Sequence, residues 1–346
     1  MSVLVRRAVA VVGAVALVTS GLLTGAHAAV GPAAAAEGKP ESFRIESPRI
    51  TESSGLAASR THKGVYWTHN DSDDGPYVYA VDSATGKTVA TVTLQGIDPR
   101  DVEGISIGPG GSVYVGDIGD NFNGRWSEVW IYRFDEPKQL RDVTVTPARY
   151  TVRYDDGPRD AESLMVHPKT GRVYIASKSQ KQKGGIYEGP GQLSASGVNV
   201  FRRIARTEMW ATDGAFSPDG TRLVLRGYFG GEMFKWRDGR PEALDRPVSV
   251  PVAGQGESVT FTPDGRTLMC GSEGRSSSVD PLELDGTLLP ESVAADGKDS
   301  DGARGGGGAA GDSDGPADRN VVVGGLTVAV VAVLWMTLRR LFRRRG

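Results

Sequence analysis

Five segments far apart in the chain carry an oxygen-bearing side chain at the head of an apolar run. These are Ser54 in ESSGLA, Glu103 in DVEGIS, Glu162 in DAESLM, Asp213 in ATDGAF and Glu257 in QGESVT. Further acids and bases flank them: Glu52, Arg100, Asp101, Arg159 and Asp160. A second polar series follows each run one hairpin later: His69, Asn70, Asp71, Asp73 and Asp74; Asp117, Asp120 and Asn121; Lys178; Arg226 and Tyr228; Glu273. Carboxylates brought together repel, so some must be protonated, paired with Arg100, Arg159, Lys178 or Arg226, or neutralised by a metal ion. Oxygen donors of this kind suit calcium. The candidate metal ligands are therefore Asp101, Glu103, Asp117, Asp120, Glu162, Asp213 and Glu257. For any one acid at the shared position the competing role is structural, a carboxylate bonding backbone N–H groups of the neighbouring repeat.

The five positions lie roughly 45 to 60 residues apart, the period of a repeated four-strand unit. Within each unit the first strand ends in a turn (THKG, PGG, PKTG, PDG, PDG) and a second apolar run follows (VYWTH, VYVGD, VYIAS, LVLRG, LMCGS). Gly-Gly and Asp-Gly between short apolar runs signal hairpins. The fifth unit lacks a fourth strand, and SFRIES at Ser42–Ser47 is a strand without a partner. Joining the two closes a ring and leaves no open edge. The fold class expected is all-β, a five-bladed β-propeller with the N-terminal strand closing the last blade, plus one C-terminal transmembrane helix. Alternating strand direction puts both polar series at one face, around the mouth of a central channel.

The rest of the chain sets expectations about location. Residues 1–28 have the Arg6-Arg7 start, apolar core and Ala26-His27-Ala28 end of a secretory signal peptide. Residues 29–40 read as disordered, 41–290 as the propeller and 291–319 as a flexible Gly-, Asp- and Ala-rich linker. Residues 320–338 read as a membrane-spanning helix, with the basic tail 339–346 inside the cell and the propeller outside. Between residues 8 and 338 stand 33 basic and 42 acidic residues, a net charge of −9. An acidic body argues against a nucleic-acid partner. The lone Cys270 allows no intrachain disulfide and reads as a buried apolar residue.

The segments ESSGLA, DVEGIS and VYVGDIGDN, with FSPDGTRLV and FTPDGRTLM, resemble secreted propellers of the phytase-like, SdiA-regulated and TolB-repeat kinds over residues 42 to 287. The phytase-like resemblance implies calcium-dependent phosphate-ester chemistry. In it the acids hold metal and Lys178, Arg226 and Arg159 hold phosphate; Tyr228, from the second polar series, is a further candidate ligand-binding residue. Two functions follow. The first is a membrane-anchored extracytoplasmic binding or scaffold module whose partners are the cell membrane and an extracytoplasmic ligand or protein. The second is a calcium-dependent phosphoesterase. A glycosidase with paired carboxylates ranks below both.

Overall fold

A computed structural model describes residues 39–301 except 72–73, 122–123, 179–183 and 253. The chain divides into two compact units, Met1–Lys39 and Pro40–Gly346, and of the first only Lys39 is among the described residues. Runs rich in Val, Ile, Tyr and Trp alternate with Gly-, Pro- and Asp-rich turns, which fixes where strands begin and end. After β1 (Phe43–Arg44) come β2 (Ser53–Ala58), β3 (Val65–Asn70), β4 (Tyr77–Asp82) and β5 (Thr88–Leu94). Next are β6 (Val102–Ile107), β7 (Ser112–Asp117), β8 (Val129–Asp135), β9 (Val143–Val145) and β10 (Ala148–Tyr154). The third run is β11 (Ala161–Val166), β12 (Val173–Ser177), β13 (Gly184–Glu188) and β14 (Val198–Thr207). The fourth is β15 (Ala211–Phe216), β16 (Arg222–Gly227), β17 (Gly231–Arg237) and β18 (Arg240–Val248). The last is β19 (Gly256–Phe261), β20 (Thr267–Ser272) and β21 (Ser278–Glu283), followed by α1 (Glu291–Asp301).

The pairing of these strands corrects the reading of a propeller with five separate blades. Among the described residues the strands form four hydrogen-bonded sheets, not five: β2-β3-β4-β5-β9, β11-β12-β13-β14-β10-β8-β7-β6, β15-β16-β17-β18 and β1-β21-β20-β19. The eight-stranded sheet arises because the ten-residue β14 begins beyond β13 and pairs in parallel with β10, from Thr151 opposite Val198 to Tyr154 opposite Phe201. In the same way β9 adds to β5 in parallel. A strand edge left open exposes N–H and C=O groups, so an outer strand that reaches its neighbour's edge gains by pairing there. The eight-stranded sheet curls until its end strands, β6 and β11, lie in contact.

That contact belongs to a ring of inner strands: β2 touches β6, β6 touches β11, β11 touches β15, β15 touches β19 and β19 touches β2. The core is divided among five apolar seams, one between each neighbouring pair of strand runs. Trp67, Val92, Ile105 and Tyr132 fill the first, and Ile131, Tyr150, Leu164 and Phe201 the second. Tyr174, Leu225 and Trp236 fill the third, and Val224, Val259, Leu268 and Cys270 the fourth. The fifth brings Phe43 together with Leu56, Tyr79 and Met269.

The membrane reading is corrected as well. Among the described residues no helix is long and apolar enough to cross a membrane. The spanning helix read at 320–338, the tail and the signal peptide lie outside the described residues. The single-pass topology, the cell-membrane location and the membrane as partner therefore have no support in the structure. Within the stretch read as linker, α1 docks on the β15–β16 turn: Ser292 N–H donates to Asp219 at 3.0 Å and Glu291 N–H to Thr221 Oγ1 at 2.9 Å.

Where β6 meets β11 the backbones approach too closely for a side chain. A Cβ on Gly104 would lie 2.7 Å from the Leu164 backbone nitrogen. Gly104→Ala is expected to force the two strands apart and destabilise the domain by about 1–3 kcal/mol, the usual range for overpacking. A lowered urea midpoint at unchanged slope would report this, and an unchanged midpoint would contradict it.

Candidate metal centre

The inner strands share a local irregularity that decides which side chains turn to the centre. Their register against the second strand shifts between Ser53 and Gly55, Val102 and Gly104, Ala161 and Ser163, Ala211 and Asp213, and Gly256 and Ser258. The residues passed over are Ser54, Glu103, Glu162, Thr212 and Glu257. A bulge of this kind re-aims one side chain relative to the sheet. Ser54 Oγ accordingly reaches across to the next inner strand and donates to Glu103 Oε2 at 2.9 Å.

In the fourth strand the bulged residue is Thr212, which the sequence reading missed, and Asp213 stands one position further on. Its oxygens are used within the chain, Oδ1 accepting from Gly214 N–H at 2.7 Å and Oδ2 from Val259 N–H of the next inner strand at 2.8 Å. A signal for this offset exists. Glu103, Glu162, Thr212 and Glu257 each precede a turn proline (Pro109, Pro168, Pro218, Pro263) by six residues, whereas Asp213 precedes Pro218 by five.

Asp71, at the end of β3, and Asp101, at the start of β6, complete the centre. One oxygen from each of Asp71, Asp101 and Glu103 lies within 4.8 Å of the others, and the same holds for Glu52, Asp71 and Glu273. Asp101 is 3 % exposed. Its Oδ2 accepts from Asn121 Nδ2 at 2.9 Å, but Oδ1 is buried without a hydrogen-bond donor. Gly119 makes room here, since a Cβ on it would come within 2.7 Å of the side chains of both Asp101 and Glu103. Burial, then the charge of Asp71, pushes the Asp101 carboxyl up to about 9. Burial and Asp71 also raise Glu103 well above the usual carboxylate range.

The other sequence-derived residues each have partners within the chain. Asp117 accepts Asp101 N–H at 3.0 Å and Tyr132 O–H at 3.0 Å, so it holds the Asp101 backbone in place. Asp120 Oδ2 accepts Trp126 N–H at 2.6 Å. Glu162 takes the Lys178 ammonium at 2.5 Å; burial still raises its carboxyl to about 8 against the pull of that lysine. Glu257 Oε1 accepts from Gln255 Nε2. Arg226 is fully buried and donates to the Ser258 and Gly271 carbonyls at 2.6 and 2.7 Å. Arg159 pairs with Asp156 at 2.8 Å. Tyr228 packs edge-on against Trp210, with ring centroids 5.6 Å apart.

Fold and site together define an all-β domain with clustered acidic side chains able to coordinate a metal ion. No protein-family model matches the chain, and no curated protein does. The resemblance to phytase-like, SdiA-regulated and TolB-repeat propellers is therefore not supported. Among solved structures, the chain is similar to the Malassezia sympodialis allergen Mala s 1 at 10 % identity, over 72 % of this chain and 98 % of that one, TM-score 0.49. It is similar to a PQQ-bound aldose sugar dehydrogenase from Streptomyces coelicolor at 13 % identity, over 71 % and 99 %, TM-score 0.42. A putative 6-phosphogluconolactonase from Bacteroides uniformis matches at 13 % identity over 68 % of each chain, TM-score 0.38. Likenesses this distant carry no argument about activity or fold.

The raised carboxyls give the metal-free protein a pH dependence of definite sign. Folded Asp101 keeps its proton up to about pH 9, whereas unfolded carboxyls lose theirs near pH 4. The folded chain thus binds more protons across this interval, and stability falls as pH rises through it. The melting temperature in chelator should drop between about pH 5 and about pH 9, and a flat or rising profile would contradict the assignment.

Proposed function

We propose that the domain binds one hard divalent cation at Asp71, Asp101 and Glu103 and works as a calcium-dependent hydrolase of a phosphate ester. The observation that carries this reading is the buried Asp101 Oδ1, without a donor, in a carboxylate triad whose oxygens converge within 4.8 Å. A buried carboxylate oxygen without a donor is costly, and a cation held by the triad removes that cost at Asp101 Oδ1. An all-oxygen donor set with flexible geometry favours calcium over softer or stricter metals. The membrane-anchored scaffold drew its support from an anchor that the structure does not supply, and it is not retained.

A cation held there would supply electrophilic activation of a phosphoryl oxygen and a more acidic bound water. The chain's own residues hold the donors in place. Asp117 fixes the Asp101 backbone, Ser54 orients Glu103 and Asn121 occupies the second Asp101 oxygen. Lys178, Arg159 and Arg226, read as phosphate holders, are engaged with Glu162, with Asp156 and with backbone carbonyls. Attraction for an anionic ester therefore rests on the metal, and substrate binding should vanish in chelator.

Calcium at about 100 times its dissociation constant should stabilise the folded chain by about 2.7 kcal/mol, seen as a higher melting temperature. Asp101→Asn should abolish that shift and, with it, calcium-dependent turnover of an aryl phosphate. Absence of any calcium shift in the unaltered protein would rule the site out. A shift without turnover would leave a binding site and remove the hydrolase.

A further inference from the structure

We propose that Lys178 stands in for a second cation at this centre and so limits it to one metal ion. The proposal rests on the reading of Asp71, Asp101 and Glu103 as a cation site. The acidic surface does not stop at that triad. Glu162 lies on β11, beside β6, and Glu257 on β19, two inner strands further round the ring, and both are almost fully buried. Glu273 bears on Glu257, and Asp160 on Glu162. Into this second group the chain inserts one cation of its own.

The Lys178 side chain is 11 % exposed, and its ammonium lies 2.5 Å from Glu162 Oε1. The Trp210 and Tyr228 rings each stand 5.7 Å from the same nitrogen. An ammonium held by a carboxylate and two aromatic faces is a fixed positive point charge, desolvated much as a bound metal ion would be. Burial works against that charge, yet Glu162, Tyr228, Asp160 and Glu257 together hold Lys178 protonated well beyond its ordinary range. Glu103 feels the charges of Asp71, Glu162 and Asp101 and, against them, that of Lys178, so the metal position and the lysine act on one carboxyl. The two cations divide the acidic ring: metal for Asp71, Asp101 and Glu103, lysine for Glu162, with its charge also felt at Glu257. Removing the lysine charge leaves the second pair of buried carboxylates in need of a replacement, and a divalent ion is what the neighbouring triad already selects.

Isothermal titration of the full chain with calcium chloride tests this, with far-UV circular dichroism as the check on folding. The unaltered protein and Lys178→Arg, which keeps the charge, should each bind one calcium ion. Lys178→Met should bind two. The double variant Lys178→Met/Glu162→Gln, which removes both charges, should return to one. A folded Lys178→Met that binds a single ion overturns the proposal while leaving the first site intact. Lys178→Met that stays unfolded even in excess calcium overturns it too, since the metal then fails to replace the ammonium. An unaltered protein that binds no calcium removes the underlying site reading itself.

Discussion

Oxygen-bearing side chains forced toward a common buried centre are the constraint on which the rest of this structure depends. Every inner strand bulges at the same place, so every repeat contributes one polar residue where water is scarce. Carboxylates in such a place must lose their charge or find a partner. The ring uses a different remedy at almost every position. The first repeat substitutes a hydroxyl, Ser54, which donates to Glu103. The third pairs Glu162 with Lys178. The fourth replaces the acid by Thr212, and the fifth offers Glu257 an amide from Gln255. Among the described residues, only the sector of Asp71, Asp101 and Glu103 gathers three carboxylates while leaving a buried oxygen without a donor. That imbalance gives this sector its functional interest.

The same polar groups hold the sheets to one another. Each apolar seam is non-directional, so it fixes distance between neighbours better than register. Register comes from buried hydrogen bonds that cross the seams. Asp213 accepts from Val259 of the next inner strand, and Arg226 donates to Ser258 and Gly271. Glu136 takes three donors from the preceding repeat, Ser59 Oγ, Thr61 Oγ1 and Trp67 Nε1, at 2.5, 2.6 and 2.7 Å. Asp213, which looks like a ligand in the sequence, is thus a fastener in the fold. Asp117 is the intermediate case: it binds no neighbour across a seam, but it positions the Asp101 backbone on which the candidate site depends.

Electrostatics around the centre also narrow the chemistry. The basic residues nearest the acids are already engaged, with Arg100 stacked between Trp126 and Trp130 at 4.1 and 3.7 Å from their ring centroids. An anionic ligand would meet a negative surface unless a metal ion had first reversed its sign. Cys270 offers no alternative chemistry, because burial raises its thiol to about 11 and it packs among Val259 and Leu268.

Local information was enough to read the strands, their hairpin turns and the repeat that heads each inner strand, because alternation, turn residues and spacing are short-range properties. It put Asp101 and Glu103 among seven candidate ligands but left Asp71 in the second polar series only. The six-residue distance to the turn proline even encodes the offset between Thr212 and Asp213. Long-range geometry decided the rest. Whether β14 stops at its own sheet or runs on to pair with β10 depends on where two distant edges meet. Whether an acid is a fastener or a free donor depends on which backbone N–H groups come within reach, as Val259 does for Asp213. A carboxylate's residue type states that it can accept hydrogen bonds or hold a cation. Only the packed neighbours determine how many of its lone pairs remain for a ligand.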